Sequence, residues 1–185
     1  MKTQILFLLL IVATLLSCGK DDNNEISESR LAGDWYMISY EYSGVQTSVY
    51  DFNTPYTHDI TGVAQDITHT VTFSENPNTY ESFGGYIMKE TSSTEGIGLI
   101  PPNSSTNFYD FEDFEFDDTW SMEGSTIRGF DYFTIPFTEP VATYEVAELT
   151  DSRLKIKYIF DRSLGEFDGV EIGIYLEAEM VFGRQ

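Results

Sequence analysis

Residues 170–182 alternate strictly, and that alternation limits the fold more than any other feature of the chain. Val170, Ile172, Ile174, Leu176, Ala178, Met180 and Phe182 fall on one face of an extended strand. Glu171, Gly173, Tyr175, Glu177, Glu179 and Val181 fall on the other. Side chains in a strand have a period of two, so slipping the register by one residue would put the whole apolar row in water. A strand of this length suits a barrel or a strongly coiled sheet. No segment after residue 30 has convincing helical periodicity, whereas several shorter ones have period two.

Tyr144 to Leu149 and Leu154 to Phe160 form an expected hairpin around Thr150-Asp151-Ser152. Arg153, Lys155 and Lys157 share its outer face, where an antiparallel sheet would set them near glutamates of neighbouring strands. A second hairpin is expected around Glu123-Gly124-Ser125, joining Thr119–Met122 to Thr126–Arg128. From Thr68 to Phe73, the residues His69, Val71 and Phe73 alternate with threonines. Tyr80 to Lys89 contains a strand broken or bulged at Gly84-Gly85. Trp35 to Tyr42 is apolar on both faces, so its inward side is ambiguous. Residues 43–66 and 91–118 are rich in Ser, Thr, Asn, Pro and Gly and read as two long connections, lids or mobile loops. The expected fold is all-β: an antiparallel up-and-down barrel, either closed or incompletely closed.

The amino terminus has a different character. Lys2 precedes a run from Ile5 to Leu16, apolar except for Thr14, that is too short for a comfortable membrane span and has the form of a signal-peptide core. It ends in Leu15-Leu16-Ser17-Cys18, which resembles the lipobox of bacterial lipoproteins. The resemblance implies cleavage before Cys18 and lipid, palmitate included, on that cysteine. Each buried methylene of such a chain adds about 0.8 kcal/mol of anchoring. Cys18 is the one cysteine in the sequence, so the chain forms no internal disulfide. The order Cys18-Gly19-Lys20-Asp21-Asp22 resembles the signal that sends Bacteroidota lipoproteins to the outer face of the outer membrane. Three segments follow: a signal peptide over 1–17, a lipidated flexible tether over 18–29 and one barrel domain over 30–185.

The formal net charge is −21, and cleavage would leave 9 basic against 31 acidic residues. Such a surface repels nucleic acid and anionic lipid. A hydrophobic content of 41%, with 14 Phe and 12 Tyr, argues for a packed core and against disorder.

Leu31-Ala32-Gly33-Asp34-Trp35 opens the first strand. A Gly-x-Trp there, followed by Trp120 with Gly124 and Ile127 and by Tyr144-x-Val146-x-x-Leu149-Thr150, resembles the lipocalin-like domains of Bacteroidota lipoproteins. The resemblance spans most of residues 30–185. It implies that Trp35 closes one end of the barrel behind Gly33, with a basic residue of the last strand over its ring. Arg184 holds that position, and the contact would be cation–π.

For chemistry, His58, on an expected loop, and His69, facing inward, are too few and unpatterned for a metal site, and no cofactor motif is present. No Gly-x-Ser-x-Gly elbow occurs, and 31 acids make chance carboxylate pairs inevitable. The expectation is therefore a non-enzymatic protein with no catalytic residues. The segment from Asp110 to Asp118 threads six acids between Phe111, Phe114 and Phe116. It reads either as a partner-binding lid or as an edge strand with rings tucked in and acids in water. Two functions remain. One is a barrel binding a small hydrophobic or amphipathic ligand through Ile172, Ile174 and Leu176, and the phenylalanines of the acidic segment. That function needs an empty cavity. The other is a cell-surface interaction or accessory protein, its barrel filled by its own Phe and Tyr, meeting an envelope protein or glycan through its acidic loops.

Overall fold

The computed structural model describes residues 26–49, 55–95, 101–112, 116–129, 143–167 and 170–184. The signal-peptide and lipobox residues, Cys18 among them, and Phe114 lie outside these. Among the described residues one short helix, α1 (Glu28–Leu31), precedes twelve strands. They are β1 (Gly33–Val49), β2 (Pro55–Gln65), β3 (Thr70–Ser74), β4 (Thr79–Phe83), β5 (Tyr86–Thr94) and β6 (Asn103–Phe111). Then come β7 (Phe116–Thr119), β8 (Ser121–Glu123), β9 (Thr126–Arg128), β10 (Tyr144–Leu149), β11 (Arg153–Phe167) and β12 (Val170–Arg184). All pair antiparallel in one sheet whose main path runs β6-β5-β2-β1-β12-β11-β10-β9-β8.

The long strand β1 organises the molecule. One edge pairs with β12 from Trp35 to Val49. The other edge is divided: Gly33 to Tyr36 pair with β3, and Glu41 to Val49 pair with β2. The sheet therefore branches. On the first branch β3 leads to β4 and β4 to β7. Since β7 and β8 are consecutive chain on either side of Trp120, this branch returns to β8, β9 and β10. Hydrogen-bonded ladders leave the sheet unclosed, and the covalent chain through Trp120 joins the two ends. The result is an open β-barrel. On the second branch β2, β5 and β6 continue, with the far halves of β1, β11 and β12, as a six-strand wall beyond the barrel.

The β12 alternation sets the inside. Leu176, Ala178, Met180 and Phe182 are buried, and Ile172 and Ile174 are half-buried on the same face. The ambiguity of β1 has a structural cause. The β1–β12 register shifts between Met37 and Ser39, so Trp35 and Met37 point inward before the bulge and Tyr40 and Tyr42 after it. A bulge adds one residue and reverses the alternation. The break at Gly84-Gly85 separates β4 from β5, with Gly84 at φ +81 and no room for a side chain against the Thr68 carbonyl.

Two sequence expectations need correction. Residues 43–66 and 91–118 are not structureless connections, because they hold the end of β1, all of β2 and β6, most of β7, and the end of β5. Their Ser and Thr side chains hide the strand signal, since backbone ladders to β1 and β5 hold these strands without an apolar row. His58 lies in β2 opposite Gln46, not on a loop. At the amino-terminal side α1 includes Glu28 and Ser29, and Ile26 packs against the core.

Candidate functional site

The barrel's base is built around Trp35. Its Nε1 donates to the Leu31 carbonyl at 2.8 Å, and Leu31 itself is buried. The Arg184 guanidinium lies over the indole, with Cζ 4.7 Å from the ring centroid. The same group donates to the carbonyls of Arg30 at 2.9 Å and Ala32 at 2.6 Å. Those carbonyls end α1, so one cation both covers the ring and satisfies the helix's last acceptors. Gly33 turns the chain at φ +130, and a Cβ there would stand 3.2 Å from the Arg184 guanidinium. Arg30 ties α1 to the β10–β11 turn through Asp151 at 3.2 Å.

Above this base the interior is filled by rings. Phe73 and Trp120 meet edge to face at 5.7 Å, and Tyr144 packs on Tyr158 at 5.2 Å. Tyr40 shares a 2.6 Å hydroxyl hydrogen bond with Tyr158 and meets Tyr86 edge to face at 5.6 Å. Burial holds the Tyr158 phenol well above its ordinary range. The Trp120 Nε1 donates to the carbonyls of Ser74 and Thr79, which pins the β7–β8 junction to the β3–β4 turn. His69 is buried among these rings with Gly84 as a backbone hydrogen-bond partner, and desolvation lowers its pKa to about 4. It is a hydrogen-bonded core histidine. Among the described residues no group of three or more His, Cys, Asp or Glu is placed to hold a metal ion.

The inner face of the six-strand wall is different. Across the ladders Phe160, Leu176, Gly44, Ile60, Ser92 and Ser105 form one row. Arg162, Ile174, Gln46, His58, Thr94 and Asn103 form the next. Apart from Arg162, apolar groups therefore lie on the β11–β12 side and polar groups toward β6. Arg162 is placed 5.9 Å from the Phe160 ring, and Tyr56 packs against His58 at 4.6 Å. Glu90 accepts from Tyr42 at 2.5 Å and from Tyr109 at 3.4 Å. Burial and that carboxylate raise the pKa of both tyrosines.

The candidate ligand residues are only partly brought together. Ile172, Ile174 and Leu176 line the β12 part of the wall. Phe111 closes β6, four strands away, and stacks on Tyr86 at 5.0 Å. Phe116 opens β7. The outer face carries the expected charge match: Lys155 and Lys157 reach Glu179 at 2.9 and 3.5 Å, and Arg153 reaches Glu148 at 3.5 Å. Hydrogen bonding from Lys155 lowers the Glu179 pKa. A groove of about 600 Å³ crosses this face between Glu41, Thr61, Val63, Lys157, Glu177 and Glu179.

Sequence reasoning missed the β6 edge and the Tyr42–Glu90–Tyr109 cluster. The β-branched and aromatic residues Thr106, Phe108 and Tyr109 were the available signal. Comparison with protein-family models, curated proteins and solved structures finds no match.

Proposed function

We propose that this chain is a bacterial lipoprotein, anchored by lipid on Cys18 at the outer membrane and exposed on the cell surface. Its lipocalin-like domain is a non-enzymatic interaction module. The filled interior carries this reading: Trp35, Tyr40, Phe73, Tyr80, Trp120, Tyr144 and Phe182 occupy the space an internal ligand would need. A core packed with its own rings gives a rigid scaffold, and the surface left for recognition is an acidic, open-edged sheet.

One observation favours a second reading. Ile60, Ile172 and Ile174 are half-buried on the inner face of the wall, beside Phe160 and Leu176. A small amphipathic ligand fits such a strip outside the filled ring. Titration of the chain from residue 19 onward with fatty acids and lipophilic fluorophores separates the two readings, with emission from the two buried tryptophans as the signal. The module reading expects no saturable response. Saturable binding displaced by a natural lipid would transfer the function to the wall. For the anchor, Cys18→Ala is expected to abolish labelling by a palmitate analogue and to release the protein from the membrane fraction. Retention of both would overturn it.

A further inference from the structure

The path of the sheet ends at β6. Every residue from Asn103 to Asp110 is exposed, and among the described strands β6 pairs with β5 alone. That ladder runs through nine pairs, from Tyr86↔Phe111 to Thr94↔Asn103, without a register shift. A long, regular edge offers a row of backbone donors and acceptors to any extended chain. Proteins usually blunt such edges with lysine, proline, a bulge or a shortened strand. The strand Asn103-Ser104-Ser105-Thr106-Asn107-Phe108-Tyr109-Asp110-Phe111 has none of these. The other end of the path, β8, is only three residues long. Two adjacent rings stand on opposite faces of this edge, unpaired among the described strands, with Phe108 63% and Tyr109 44% exposed. Around them the charge is negative: Asp110 and Glu112 are exposed beyond the rings, Glu95 is exposed at the far end of β5, and the chain as a whole carries −21.

We propose that β6 is a docking edge that accepts a basic, extended segment of a partner protein as an added strand. Backbone ladder bonds supply the affinity. Phe108 and Tyr109 meet apolar side chains of the added strand, one on each face, and Asp110 and Glu112 meet its cations. Another copy of the same chain is a poor occupant, because each copy brings the same large negative charge to the contact. The proposal rests on the interaction-module reading and gives that module's partner its chemistry.

The test uses the full lipidated chain in phosphatidylcholine nanodiscs, so that the bilayer itself does not attract the probe. The probe is a ten-residue peptide alternating Val and Tyr with Lys, followed by fluorescence anisotropy and by amide hydrogen exchange. Saturable binding with slowed exchange across residues 103–110 is expected. A counterpart N-methylated at every backbone amide keeps the charge and loses the ladder, so it should bind at least tenfold more weakly. Thr106→Lys with Phe108→Lys, both exposed, should weaken the parent peptide by a similar factor while leaving thermal unfolding unchanged. Equal binding of the two peptides, or binding without protection of β6, would overturn the proposal. Protection of β6 that grows with protein concentration in the absence of peptide would instead make the occupant a second copy. Failure of the peptide leaves the module reading in place, since only saturable lipid binding removes that one.

Discussion

Burial takes the His69 imidazole out of water and keeps it neutral, with a folded pKa of about 4 against 6.5 in the open chain. Between those values the unfolded chain binds the additional proton, so this group's contribution is complete above about pH 6.5 and declines as the pH falls toward 4. The loss attributable to it is on the order of 3 kcal/mol at the acid end. We expect His69→Gln to lose less stability than the parent between pH 7 and pH 4.5, measured by urea unfolding at each pH. Parallel curves would remove His69 from the acid response. At the base, Arg184→Ala is expected to cost about 2–3 kcal/mol, because it ends a cation–π contact and exposes two helix-end carbonyls together. Arg184→Lys should recover less than half, since an ammonium cannot reproduce the planar fork. The sequence placed Arg184 by resemblance to a family pattern. The two carbonyls it serves were invisible there, because they are backbone groups of a helix too short to leave a periodic signal.

Strand elements divide by how their sequences write alternation. β12 was legible because its apolar face is complete, and the β10–β11 hairpin because Thr150-Asp151-Ser152 separates two alternating runs. β1 was half legible. Ile38, 51% exposed, is the bulged residue that lets Trp35 and Met37 share the inside with Tyr40 and Tyr42. Deleting Ile38 should force either the two residues before it or the two after it into water, and we expect loss of near-ultraviolet dichroism and of cooperative unfolding. A variant that kept a sharp transition would show that the shift is not needed. β2 and β6 were read as connections for a plain physical reason. Thr57, Thr61, Ser104, Ser105 and Thr106 make no apolar row, and what orders them is the ladder to a partner strand. Ladder bonding leaves little mark on residue type.

For the whole molecule, 31 acids around one core set up self-repulsion that salt relieves. The melting temperature should therefore rise between 10 mM and 500 mM sodium chloride. A fall over that range would mean that pairs such as Lys155–Glu179 outweigh the general repulsion. The sequence by itself determined the all-β class, the inward face of β12, the inward His69, the turn at Gly124 and the cross-strand charge match at Lys155 and Lys157. Each of these is written in residues close together along the chain, by alternation or turn chemistry. Only the tertiary structure decided that β1 serves two branches, that the chain through Trp120 joins β7 to β8, that rings fill the interior, and that β6 pairs with β5 alone among the described strands. These depend on which strands pair across long separations. Backbone hydrogen bonds and the fit of side chains from distant segments settle such pairings, and neither is a property of any local stretch of sequence.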